Sequence, residues 1–216
     1  MASPASPLSA RDQLLRLLAR QSFRLGQFQL SSGATSDYYI DCRATTLHAE
    51  GTRLCARVVL DEINAQKWKA QGIGGLTMGA DPLVVGVALI SAQQIQTRAP
   101  ARPKPIDPTG FHIHGFLVRK EEKAHGTAQR IEGFREKGAR VVIVDDVCTT
   151  GLSIITAIEA AKAFGFEVVG AMCLVEREEA GGRKLVEETA SPAPFLSIFT
   201  ATQIREEHLR QQQEPA

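Results

Sequence analysis

The stretch Val141-Val142-Ile143-Val144-Asp145-Asp146-Val147-Cys148-Thr149-Thr150-Gly151-Leu152-Ser153 decides how this chain is read. Four successive apolar residues suit a parallel strand covered on both faces. Two adjacent carboxylates stand at its C-terminal end, followed by two hydroxyls, a glycine and a third hydroxyl, and an apolar helix is predicted over 152–164. Backbone amides at a glycine turn and helix N-terminus point outward and suit a phosphate monoester, with Thr and Ser hydroxyls completing the cradle. In open α/β sheets, ligands sit outside these strand ends. A phosphate cradle one turn from two carboxylates suits a ligand with a phosphate at one end and hydroxyls or a magnesium ion further along. The plainer alternative is a helix cap, because Asp, Thr and Ser are what helix starts prefer. The ordered run of strand, carboxylate pair and hydroxyls around a glycine favours the ligand site. Competing phosphate motifs fail: Gly133 and Gly138 have Walker A spacing, but Ala139-Arg140 follows where Lys-Ser/Thr is required.

Outward from this stretch, strands and helices alternate. Helices are predicted over 8–18, with Ser9 as cap, over 49–63, and over 83–90 after Asp81-Pro82. Strands are predicted over 72–76, 111–118, 168–175 and 195–199, and residues 203–216 read as a polar helix or tail. Four prolines in the eleven residues 98–108 exclude a central strand or helix there, so 98–109 is an extended connection. The pattern predicts a single α/β domain over 1–216, an open, mostly parallel twisted sheet flanked by helices.

At 216 residues, 44% hydrophobic and 23% charged, the chain can bury a proper core. A net charge of +1, from 25 Lys+Arg and 24 Asp+Glu, argues against a nucleic-acid coat or a membrane-binding surface. No apolar run approaches membrane-helix length, and residues 1–8 read as a frayed tail rather than a signal peptide. Cys42, Cys55, Cys148 and Cys173 are scattered without metal-ligand spacing and read as reduced core residues of a cytoplasmic protein. His112 and His114, alternating on the 111–118 strand, are a pair without a third ligand and read as structural. Arg119, Lys120, Lys123 and His125 gather positive charge within seven positions beside Glu121 and Glu122. Such a run is usually a solvated surface loop, but beside a phosphate cradle it suits a departing pyrophosphate.

The 141–153 stretch resembles the phosphoribosyl pyrophosphate (PRPP) signature of the type I phosphoribosyltransferases. Phe28-Gln29-Leu30-Ser31-Ser32-Gly33 with Ser36-Asp37-Tyr38-Tyr39-Ile40-Asp41 is similar to the N-terminal motif of the orotate-specific branch. Arg119-Lys120-Glu121-Glu122-Lys123-Ala124-His125-Gly126, with Ile131-Glu132-Gly133, resembles that branch's mobile catalytic loop, taken here as 119–133. Glu176-Arg177 matches the place of an orotate-binding arginine. These four blocks, in family order, span about residues 23–180. Ser31 and Met78 stand where many members carry lysines.

The resemblance implies transfer of phosphoribosyl from PRPP to orotate, giving orotidine 5′-monophosphate and pyrophosphate in pyrimidine synthesis. It implies Lys123, His125, Asp145 and Asp146 as catalytic residues, and Arg119, Lys120 and residues 147–153 (Val147, Cys148, Thr149, Thr150, Gly151, Leu152, Ser153) with them around PRPP. Tyr39, Thr149 and Arg177 would meet orotate. Magnesium would be the cofactor, held mainly by substrate oxygens and through Asp145 and Asp146. The resemblance also implies a small hood from the terminal segments and a homodimer sharing loop 119–133 across its interface. Two rivals are a phosphoribosyltransferase for another nucleobase and a non-catalytic PRPP-sensing regulator. Arg177 and the orotate-type loop argue against the first, and the near-neutral charge against the second.

Overall fold

The computed structural model describes residues 7–29, 35–98, 112–121 and 130–214. Helix α1 (Ala10–Gln21) begins at Ser9, whose hydroxyl accepts the Asp12 N–H at 3.1 Å, the cap expected from sequence. An antiparallel hairpin, β1 (Phe23–Gln29) and β2 (Thr35–Ile40), follows, then the short α2 (Arg43–Thr46) and α3 (Ala49–Ala65). The main sheet is built from β3 (Gly72–Leu76), β4 (His114–Val118), β5 (Ile131–Gly133), β6 (Arg140–Cys148), β7 (Glu167–Glu176) and β8 (Phe195–Thr200). Between these strands run α4 (Asp81–Arg98), α5 (Leu152–Phe164), a 3-10 turn (Glu178–Ala180) and α6 (Gly182–Ala190), and α7 (Ala201–Gln213) closes the chain.

The sheet order is β5-β4-β3-β6-β7-β8, parallel except at β5. Val142 and Val144 of β6 join a core with α1, α3 and α4, while Val141 and Ile143 join one with α5 and α6. All four side chains are excluded from water, which is why this run carries no polar alternation. From β3 the chain moves outward to β4, and from β6 it moves the other way to β7 and β8. The strand order therefore reverses between β3 and β6, and the carboxyl ends of these two strands are where open α/β sheets bind their ligands. Asp145 and Asp146 lie at that end of β6.

The hairpin packs with α1 and α7 beside the sheet. Arg205 of α7 pairs with Asp37 of β2 at 2.7 Å, and Tyr38 stacks on Phe23 at 5.4 Å between centroids. This is the hood that the resemblance implied.

Several predicted boundaries are corrected. The strand predicted over 111–118 begins at His114, and His112 precedes it, although the two imidazoles remain neighbours at 6.3 Å. The helix predicted over 83–90 extends over Asp81–Arg98, with its first turn ordered by a 2.8 Å hydrogen bond from Thr77 Oγ1 to Asp81. Within the stretch read as loop 119–133, residues Ile131–Gly133 pair antiparallel with β4. The polar C-terminus is helical over Ala201–Gln213, set by a capping box of Thr200 and Gln203. Of the proline-rich connection 98–109, all but Arg98 lies outside the described residues, as does most of the 1–8 tail.

Close packing at the crevice leaves little tolerance. A Cβ on Gly75 would fall onto the backbone carbonyl oxygen of Val144 and 2.5 Å from Ala80 Cβ. Backbone on the neighbouring strand cannot give way as a flexible side chain can. Gly75→Ala should cost about 3 kcal/mol of unfolding free energy. Urea denaturation checks this, and a loss below about 1 kcal/mol would contradict the packing described.

Candidate active site

At the end of β6 each carboxylate is oriented by the amide that follows it. Asp145 Oδ1 accepts the Asp146 N–H at 3.0 Å, and Asp146 Oδ1 accepts the Val147 N–H at 2.8 Å. The loop after β3 closes over them: a Cβ on Gly79 would stand 2.6 Å from Asp146 Oδ1 and 2.7 Å from Asp145 Oδ1. Absence of a side chain at position 79 thus lets backbone reach the acid pair. Burial pushes Asp145 well above the usual carboxylate range, and the neighbouring Asp146 charge adds to it. Burial also raises Asp146, partly offset by the Val147 N–H and by Arg43. Arg43 itself is clamped by Asp41 through bonds of 2.8 and 2.9 Å.

The segment after the carboxylates is not a side-chain cap. Gly151 occupies the N-cap of α5 at φ +79°, a left-handed conformation suited to glycine, and no side chain caps the helix. The amides of its first turn therefore face outward without a capping partner, the arrangement that accepts an anion. Thr149 and Ser153 are half-buried and Thr150 is exposed around the turn. Behind it lies the start of α6: a Cβ on Gly151 would stand 2.5 Å from Val186 Cγ2, and one on Gly182 2.6 Å from the Thr150 carbonyl carbon. Helix α6 is fixed by Arg183, whose guanidinium binds both oxygens of buried Glu176 and donates to Ser197 Oγ at 3.0 Å.

Beside this loop, the Arg177 N–H donates to the Cys148 carbonyl at 2.9 Å, which places the arginine next to Thr149. Its guanidinium is buried, 4.7 Å over the ring of Tyr38. It donates through Nε to Tyr38 Oη and to Glu179 Oε1, each at 3.1 Å, and through Nη2 to Ser36 Oγ at 3.2 Å. The Tyr38 hydroxyl donates to the same Glu179 oxygen. Burial, then the bond to Glu179, pushes the Tyr38 phenol up to about 12. The structure thus brings Tyr38 to Arg177, whereas Tyr39, singled out from the sequence, is 40% exposed and packs on Phe28. Alternation along β2 separates the two tyrosines. In sequence nothing but strand parity distinguished them.

Val118 at the end of β4 accepts the Thr77 N–H at 2.9 Å, so residues 119–121 leave the sheet beside the β3 loop. Arg130 bonds back to the residues that leave β4. Its carbonyl accepts the Arg119 N–H, and its side chain donates to the carbonyls of Arg119 and Lys120 at 3.1 and 3.2 Å. Arg119 and Lys120 are exposed at this neck, with Arg119 3.6 Å from Glu132. Lys123 and His125 lie outside the described residues, as does Ser31. Met78 is 67% exposed in the β3 loop. Sequence reasoning missed Arg130, Glu179 and Arg43: Glu179 stood in a run of charges, and Arg130 and Arg43 belonged to no motif. All four cysteines are buried and free. No described helix is long and apolar enough to cross a membrane.

The burial of Asp145 has a measurable consequence. With its folded-state value raised, Asp145 keeps a proton in the native state that the unfolded chain releases above about pH 3.9. Stability contributed by the protonated acid is therefore complete below that pH and lost as pH rises through the folded-state value. Asp145→Asn removes this titration, so the variant should melt at a higher temperature than the parent at pH 7, the gap closing as pH falls toward 4. A variant less stable than the parent at pH 7 would contradict the burial argument.

Known proteins resemble this chain over most of its length. The sequence profile of the Phosphoribosyl transferase domain matches residues 115–191. The chain is similar to the orotate phosphoribosyltransferase of Aquifex aeolicus, 34% identical over 197 residues that cover 90% of this chain and 97% of that one. It is 39% identical over 189 residues to the orotate phosphoribosyltransferase of Streptomyces coelicolor, covering 88% and 93%. Among solved structures, Mycobacterium tuberculosis orotate phosphoribosyltransferase in complex with PRPP matches with a TM-score of 0.66 and 32% identity, over 91% of this chain and 99% of that one. Similarity that runs along nearly the full length of these relatives goes beyond a shared fold: the chain belongs to the orotate phosphoribosyltransferase family.

Proposed function

We propose that this protein transfers the 5-phosphoribosyl group of PRPP to orotate, releasing pyrophosphate and forming orotidine 5′-monophosphate in pyrimidine biosynthesis. The observation that carries the reading is the end of β6, where an oriented acid pair meets a helix N-terminus that no side chain caps. The 5′-phosphate fits the outward amides of residues 150–153 with the hydroxyls of Thr149, Thr150 and Ser153, and Val147, Cys148 and Leu152 shape the same turn. Asp145 and Asp146 then face the ribose hydroxyls. As the bond to pyrophosphate lengthens, positive charge grows at the anomeric carbon, and fixed carboxylates stabilise that state more than the ground state. Arg177, beside Thr149, offers a guanidinium fork for the planar carboxylate of orotate. Tyr39, next to Tyr38 in β2, presents a 40% exposed ring and is the expected further contact to orotate.

Asp145 and Asp146 present hard oxygen donors, which suits magnesium, and among the described residues no cluster of three or more metal-ligating side chains surrounds them. Magnesium, when bound, would be held mainly by pyrophosphate and ribose oxygens with these carboxylates beside it, and would offset the leaving group's charge. Arg119 and Lys120 at the loop neck, with Lys123 and His125 beyond it, would meet the departing pyrophosphate and exclude water from the reacting carbon. The exposed Val85 and Leu89, one helical turn apart on α4, support a homodimer, and the family resemblance adds that loop 119–133 would serve the neighbouring site. Four buried free cysteines support a reducing, cytoplasmic setting.

Loss of orotate absorbance on mixing protein, orotate, magnesium and PRPP tests the assignment. The loss should require all three components and vanish in Asp146→Asn. Turnover without magnesium, or no orotate consumption despite PRPP binding, would overturn it. Lys123→Ala should cut kcat by about a hundredfold or more while leaving the KM for orotate nearly unchanged. Unaltered kcat would remove Lys123 from the transition state.

A further inference from the structure

We propose that Glu179 is an internal stand-in for the substrate carboxylate, occupying the Arg177 fork until orotate displaces it, and so sets the affinity of the site for orotate. The inference rests on the assignment of orotate as substrate. Arg177 is only 8% exposed, and a buried guanidinium without a counter-charge is costly. Glu179 Oε1 supplies that charge, at 3.1 Å from Nε and 3.0 Å from Nη2, with the Tyr38 hydroxyl donating to the same oxygen. This is the side of the guanidinium on which two N–H groups converge, the side a ligand carboxylate uses. Glu176, next along the chain, is committed to Arg183 and cannot take the place of Glu179.

The surroundings fit a removable partner. A cavity of about 490 Å³ is lined by Gln27, Thr35, Ser36, Asp37, Tyr38 and Glu179. Three of these, Ser36, Tyr38 and Glu179, are the side chains that bond Arg177, which lies behind them. Arg177 therefore meets the cavity once Glu179 moves. Glu179 can move: its side chain is 53% exposed, and it sits in a 3-10 turn of three residues ended by Gly181 at φ +71°. Ser36 and Tyr38, by contrast, are held in the β1–β2 pairing. A carboxylate entering from the cavity finds the same donors that Glu179 uses, and the displaced side chain gains water. Orotate thus exchanges one ion pair for another and spends part of its binding energy on the exchange. Uncharged uracil has no carboxylate to make that exchange.

Steady-state kinetics of the full chain and of Glu179→Gln and Glu179→Asp test this. Glu179→Gln removes the competing charge, so its KM for orotate should fall about fivefold, the worth of a half-exposed ion pair. Its KM for PRPP should not change. Glu179→Asp keeps the charge on a shorter arm, and its KM should lie between those of parent and Gln variant. If Glu179 instead held Arg177 in a productive pose, or merely supported the turn, Glu179→Gln would raise the KM for orotate or leave it unaltered; either result would overturn the proposal. Failure of the parent to consume orotate would overturn the substrate assignment instead.

Discussion

The site depends on two adjacent carboxylates, Asp145 buried and Asp146 half-buried, held at the place where the strand order reverses. Asp145 and Asp146 are delivered there because the four apolar residues before them bind both faces of the sheet to helices, leaving the chain one direction in which to emerge. Each acid is oriented by a single backbone N–H, and the glycine at position 79 brings a second loop against both. A pair held this way has unmet capacity for hydroxyls, a cation or a developing positive centre, and it lowers the stability of the empty protein at neutral pH. Such a conflict between stability and local electrostatics is expected where binding or catalysis is carried out.

The phosphate-type turn depends on a second tier of contacts. Gly151 and Gly182 let the turn and α6 approach to backbone distance, and the Glu176–Arg183 pair ties α6 to β7 and β8. Position, rather than side-chain capping, therefore shapes the helix N-terminus. Thr149, Thr150 and Ser153 are left with their hydroxyls available for a ligand, which separates this turn from an ordinary capped helix start.

Much of this was legible in the sequence because it is local. The unbroken apolar run at 141–144 marks a central strand, and the Asp-Asp and Thr-Thr-Gly order marks the candidate site at its end. The Ser9 cap and helix α5 were likewise local signals. What escaped depends on tertiary contact. The short β5 exists because β4 offers it a free edge, and α6 because Arg183 finds Glu176 and Ser197. Whether Tyr38 or Tyr39 reaches Arg177 is a question of strand parity, which a motif two tyrosines wide cannot answer. Glu179 reads as one more acid in Glu-Arg-Glu-Glu until the fold turns it back onto the arginine two residues before it.

The most direct test of the account is where a phosphorylated sugar binds. Backbone amide NMR during titration with ribose 5-phosphate, with ribose as control, reads this residue by residue. The account predicts saturable shifts concentrated at the amides of residues 150–153, with no such response to ribose. Shifts centred elsewhere, or the same response to ribose, would contradict the assignment of the uncapped α5 terminus as the phosphate cradle.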